Sequence, residues 1–192
     1  VADRGLLSLD NLEAIRQIKV GAEPLEFILA VPARRYGEFD ALLAEFHQHT
    51  CQPATAEVVG ELAWQGFRLI VAHRPEVAAE QGASRDERIA ALEADAARWA
   101  GKLDGQDTGQ TYRGRRLSDA GTTARFYKAV ADAHLANIIK VDLSASVFTY
   151  EIDERVLNRA RMMDGKLILV TNMPDHAPAE IVRRYKDTRR TT

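Results

Sequence analysis

Few residues in this chain have the type and spacing that chemistry needs. Asp3 stands directly before Arg4-Gly5-Leu6-Leu7-Ser8, where a strand would hand over to a helix. The carboxyl end of a strand in an α/β sheet is where a metal-binding carboxylate is displayed to a ligand. Taken alone, a helix-entry aspartate that serves only the backbone is the plainer reading. His47, His49 and Cys51 alternate, and on an extended segment all three would share one face. They are zinc-ligand types, but a closed site takes four ligands and no partner cluster is visible, so the segment reads as a polar connection. Cys51 has no nucleophile motif around it, and the chain has neither a Gly-rich phosphate loop nor a nucleophile elbow. Asp107, Asp142, Asp153 and Asp164 fall in turn or strand-edge contexts, where aspartate is common for backbone reasons.

Basic residues carry more information about partners. Arg113, Arg115 and Arg116 flank Tyr112, and Arg183, Arg184, Lys186, Arg189 and Arg190 crowd the last stretch with only Asp187 opposing locally. Such clusters can contact phosphates with salt-dependent affinity, although basic residues near a helix C-terminus also satisfy the helix dipole. The whole chain is not a polycation: 26 Lys+Arg against 28 Asp+Glu give a net charge of −2. Its 192 residues, 46% apolar and 28% charged, suit one soluble domain or slightly more, with a real core. The single cysteine excludes an internal disulfide framework and, with no long apolar run and no leader-like start, leads us to expect a cytoplasmic protein. The chain opens without Met and is expected to be a piece of a longer one.

These residues need elements to position them. Ser8 suits the N-cap of a helix with Leu9, Leu12, Ile15 and Ile18 on one stripe, and Gly21 suits its left-handed C-terminal cap. Residues 25–31 read as a buried strand closed by Pro32, an order that belongs to an α/β sheet. A short helix is expected around 39–46, then a hairpin over 57–73 with its turn at Gln65-Gly66. Pro75 opens a helical stretch to about residue 100, with Gly82 expected to break or kink it. Residues 101–116 read as an exposed loop, 119–139 as a helix, 147–152 as a strand and 154–161 as a short helix. After a tight turn at Asp164-Gly165, residues 166–172 form the best strand in the chain, and Pro178 suits the first position of a final helix.

Several segments together resemble a known family. Ala2-Asp3-Arg4-Gly5-Leu6-Leu7-Ser8 with Asn11-Leu12 resembles the region around the second catalytic aspartate of bacterial insertion-sequence transposases. These are DDE enzymes with an RNase H-like core, in the branch with a Tyr, Arg, Glu, Lys signature. Arg125-Phe126-Tyr127, the stretch from His134 to Asp142, Phe148 to Asp153, and Met162 to Asn172 look like the same family. Pro178 to Lys186 looks like the lead-in to the catalytic glutamate helix. The similarity runs from residue 2 to about 187, with five motifs in the family's order.

The resemblance implies an α/β fold: a partial RNase H-like core at 1–32, a large mixed α+β insertion rich in strands at 33–165, and a return strand with the start of the glutamate helix at 166–192. It implies two-metal phosphoryl transfer, with carboxylates holding Mg²⁺ or Mn²⁺ while DNA is cleaved and joined. Asp3 matches the second aspartate, as both catalytic residue and metal ligand. Arg113, Arg115, Arg116, Arg183, Arg184, Tyr185 and Lys186 are the candidate DNA contacts. The match is incomplete. Tyr185 fits the signature tyrosine, but the arginine position is Thr188 and the glutamate position is Thr192, and the first aspartate would precede Val1. One carboxylate cannot hold two ions, so the chain is expected to be an inactive transposase fragment, from a gene interrupted or frame-disrupted near residue 188. The implied partners are DNA, with a full-length transposase or a second copy of the chain, and no membrane. The alternative is a non-catalytic DNA- or transposase-binding remnant that acts as an inhibitor or has no role.

Overall fold

The computed structural model describes residues 8–50, 56–109 and 116–190. At its start the Ser8 hydroxyl accepts from the Asn11 N–H at 3.2 Å and caps α1 (Leu9–Gln17), which buries Leu12. The helix stops before Gly21. Ile18 is already extended, and Lys19–Val20 (β1) pairs antiparallel with Glu23–Pro24 (β2). Gly21 does take a left-handed conformation, φ +68°, but in the turn of this small hairpin rather than as a helix cap.

The main sheet has the order β3 (Ile28–Ala30), β8 (Lys166–Thr171), β5 (Phe67–His73), β4 (Val58–Trp64), and every pairing in it is antiparallel. The fold is therefore mixed α/β with open sheets. The hairpin β4–β5 turns at Gln65 and Gly66, both with positive φ, as a two-residue loop matched to strand twist requires. Leu29, Leu69, Val71, Ile168 and Val170 face one core together with Leu12, Phe39, Leu43 and Phe46. Ile70, Ala72 and Leu169 face the other, against Ile181 and Val182 of α6 (Pro178–Arg190). Because both faces are covered, β5 and β8 read as nearly continuous apolar runs. Pro178 is the first residue of α6, where its missing N–H costs nothing.

A 3-10 segment, Ala33–Phe39, leads into α2 (Asp40–Thr50). The helix expected to end near 46 continues to Thr50, so the backbone here is helical rather than extended. The shared extended face with Cys51 is thus not formed, and Cys51 itself lies outside the described residues.

The chain divides into two compact units, Val1–Ala79 with Met162–Thr192, and Glu80–Arg161. The hairpin at 58–73, expected inside an insertion that starts at 33, belongs to the first unit because β5 pairs with β8 from Arg68 to His73. α3 (Pro75–Asp107) crosses the boundary at residue 80 without a break at Gly82. One glycine inside a helix costs about 1 kcal/mol, and the buried stripe of Ile89, Leu92, Ala96, Trp99 and Leu103 outweighs it. The same stripe carries helix into the expected loop as far as Asp107.

The second unit also holds α4 (Asp119–Asp132), β6 (Ile139–Val141), β7 (Tyr150–Ile152) and most of α5 (Glu154–Met163). α4 ends short of 139 because His134 turns left-handed, φ +57°, and Ile139 enters the β6–β7 pairing. Fully buried Phe126 packs its ring against Trp99, Phe148 and Tyr150. Among the described residues no helix is long and apolar enough to cross a membrane.

Candidate functional site

The segment after α1 and the segment that leads into α6 meet at one edge of the main sheet. β3 pairs with the C-terminal half of β8, Ile28 opposite Thr171 and Ala30 opposite Leu169. Beyond the ladder, side chains continue the pairing. Asn172 accepts from the Phe27 N–H at 2.9 Å through Oδ1 and donates to the Leu25 carbonyl at 2.8 Å through Nδ2. The buried Thr171 hydroxyl donates to the Phe27 carbonyl at 2.6 Å and accepts from the Met173 N–H at 3.2 Å. Arg68, on β5, then holds the chain that enters α6. It donates to the carbonyls of Met173, Pro174 and His176 while forming a two-pronged pair with Glu61 at 2.7 and 2.6 Å. The hydrogen bond from Arg68 holds the Glu61 carboxyl below its ordinary pKa.

On α6, Ile181 and Val182 are buried in the second core and Tyr185 packs half-buried against it. Arg183 is exposed. Arg184 is paired with Glu180 at 2.8 Å, which holds the Glu180 carboxyl below its usual range. Lys186 reaches Glu57, before β4, at 2.6 Å. The basic run is therefore opposed by more than Asp187: two of its cations meet carboxylates, one of them 129 residues away. Arg116 makes a long, exposed pair with Asp107 at 3.8 Å in the second unit and stands at a cavity beside the start of α4. Asp3, Arg113 and Arg115 lie outside the described residues.

A cluster that sequence patterning did not reveal lies behind the first core. The Lys166 ammonium, on a residue 9% exposed, sits 3.3 Å from His47 Nδ1 and donates to the Met162 carbonyl at 2.5 Å. The His47 and His73 rings meet edge-on, centroids 6.3 Å apart. Burial lowers the pKa of both histidines, and the Lys166 charge lowers it further. This chemistry opposes metal binding, because the ammonium sits against the His47 nitrogen and two imidazoles fall short of a ligand set. Among the described residues no group of three or more His, Cys, Asp or Glu side chains is placed to hold a metal ion. Paired Mg²⁺ ions therefore do not fit the described side chains.

Compared with known proteins, the chain matches no family model, no curated protein and no solved structure.

Proposed function

We propose that this chain is the portion of a DDE-type insertion-sequence transposase that runs from the second catalytic aspartate to the approach of the glutamate helix. One observation carries the reading beyond the motifs. The segment following the Asp3 motif and the segment preceding the glutamate lead-in are 145 residues apart at the Phe27–Asn172 hydrogen bond, and they share a sheet edge. A carboxylate before α1 and one on a helix continuing from α6 can act on one phosphate only if those segments approach each other, and the pairing of β3, which follows α1, with β8, which precedes α6, supports the reading. In this reading the described residues contribute position. Asn172, Thr171 and Arg68 fix the entry to α6, and Ile181, Val182 and Tyr185 fix its seat. An RNase H-like core is part of the proposal, and the antiparallel sheet with helices on both faces supports it at the level of mixed α/β architecture. The metal-assisted step itself requires carboxylates that the described residues do not assemble.

The test begins with the DNA on both sides of this coding segment. We expect an in-frame strand bearing an aspartate upstream and an in-frame helix bearing a glutamate downstream. The protein so encoded should cleave the ends of its element in Mg²⁺, and Asp3→Asn should lower that cleavage by at least about 10³-fold, since such a triad works as a unit. Both pieces present but out of frame, or broken by stops, would favour the second reading, a non-catalytic DNA- or transposase-binding remnant, for which Arg183 and Arg116 are exposed contacts among the described residues. Finding neither piece would overturn the family assignment.

A further inference from the structure

We propose that the free edge of β4 is an interaction surface whose partner is β4 of a second copy of this chain, paired antiparallel about a two-fold axis. Among the described residues β4 is hydrogen-bonded on one side only, to β5, and it ends the main sheet. α2 packs on one of its faces and α6 on the other, so the open surface is the edge and not a face. The turn fixes which backbone groups point outward. In a two-residue hairpin loop the flanking residues, Trp64 and Phe67, form a hydrogen-bonded pair, and bonded pairs then alternate along the ladder. Val58, Gly60, Leu62 and Trp64 therefore direct their N–H and C=O groups at β5. Those of Val59, Glu61 and Ala63 point away from it, along one edge.

Edge strands are ordinarily blunted by short length, proline, a bulge or lysine. The opposite edge of this sheet follows that rule. β3 pairs over three residues, and the Val31 N–H turns inward to Ile168 at 2.9 Å, so the next outward position is Pro32, which has no N–H. β4 carries none of these devices. It runs seven residues in unbroken register, from Val58 opposite His73 to Trp64 opposite Phe67, without proline or lysine. Its one charge, Glu61, is bound by Arg68 at 2.7 and 2.6 Å. Aligned donors and acceptors of this kind accept an extended strand.

The pattern of the strand selects a second copy as that partner. Among the described residues β4 is the one long strand with a free side, since β5 and β8 lie inside the sheet and the others span two or three residues. A two-fold axis through Glu61, normal to the sheet, pairs all seven residues: Val58 with Trp64, Val59 with Ala63, Gly60 with Leu62, and Glu61 with its own copy. Outward groups then meet outward groups. Directly opposed residues share a face, so Val58, Leu62 and Trp64, which turn toward the first core, stay on that side in both copies. Val58 with Trp64 is a favourable pair of β-branched and aromatic side chains. Two bare Glu61 carboxylates at the axis would repel, but each carries its Arg68 guanidinium, so two ion pairs meet there. The inference is independent of the transposase reading, since it uses neither Asp3 nor the approach to the glutamate.

The test is sedimentation equilibrium of the whole chain from about 1 to about 200 µM, over which a reversible dimer is expected. Ala63→Pro removes an outward N–H and none that β5 uses, so it should weaken the dimer by about 10-fold or more, one hydrogen bond being lost from each copy. Its circular dichroism should match the parent's. A cross-link decides the matter if that variant fails to fold. Val59→Cys and Ala63→Cys, each in a Cys51→Ser background, should form a disulfide when mixed and mildly oxidised, because opposed bonded residues lie about 5.5 Å apart between Cα atoms. Neither variant alone should cross-link as readily, since the register opposes 59 to 63. A chain monomeric over the whole range, as expected if a strand of another protein takes the edge, would overturn the proposal. So would a dimer that folded Ala63→Pro leaves as tight as the parent's, or cross-linking of either cysteine variant alone that equals the mixture's.

Discussion

At the scale of single residues, long-range partners change what side chains can do. Lys166, at the start of a strand, looks like an ordinary strand-end cation until it meets His47 119 residues away. The consequence is a pH dependence of stability. Burial and then the Lys166 charge hold His47 and His73 below their ordinary value of 6.5. The unfolded chain therefore takes up protons near pH 6.5 that the folded chain resists. Their stabilising contribution is complete above that pH and is lost as the pH falls through the lowered folded values. The urea midpoint should accordingly fall between about pH 7.5 and about pH 5, and the double variant His47→Asn, His73→Asn should flatten that fall. An equal fall in both proteins would show that carboxylates, not this cluster, govern the response. The basic run on α6 teaches the same lesson. Its charges are plain in the sequence, but the Glu57 that meets Lys186 is not, because the pairing depends on where the hairpin lies.

At the scale of elements, turn chemistry and alternation proved the most legible features. Gln65-Gly66 and Asp164-Gly165 both lie at turns, and both glycines have positive φ. Gly165 joins α5 to β8, and a Cβ on it would run into the Arg74 carbonyl and the Ala78 side chain. Gly165→Ala should therefore destabilise the chain by more than about 2 kcal/mol, combining left-handed strain with a backbone clash. Urea unfolding of the purified variant checks this, and a loss under about 0.5 kcal/mol would mean that the turn relaxes freely. Element lengths were less legible. Gly82 and the polar stretch after residue 100 argue locally against helix, yet one buried stripe from Ile89 to Leu103 keeps α3 continuous. Conversely, α4 ends early because β6 claims Ile139–Val141 for a pairing that periodicity does not encode.

At the scale of the whole molecule, two compact units are joined through α3 and α5, and each unit contains one tryptophan. Trp64 ends β4 in the first unit, and Trp99 lies in the core of the second. Single-tryptophan variants, Trp99→Phe and Trp64→Phe, should report urea transitions with different midpoints, because each core is buried separately. Coincident transitions would show instead that the continuous helix makes the chain unfold as one cooperative unit.

By itself the sequence determined the local features: the Ser8 cap, the Gln65-Gly66 hairpin, the apolar runs of β5 and β8, and Pro178 at the head of α6. Each is set by a backbone preference or a periodicity that spans only a few residues. Tertiary structure decided the order of strands, the partners of Lys166, Lys186 and Asn172, and the reach of α3. Those outcomes depend on contacts between residues far apart in the chain, where the burial gained on folding, rather than local propensity, selects among arrangements that short segments leave equally open.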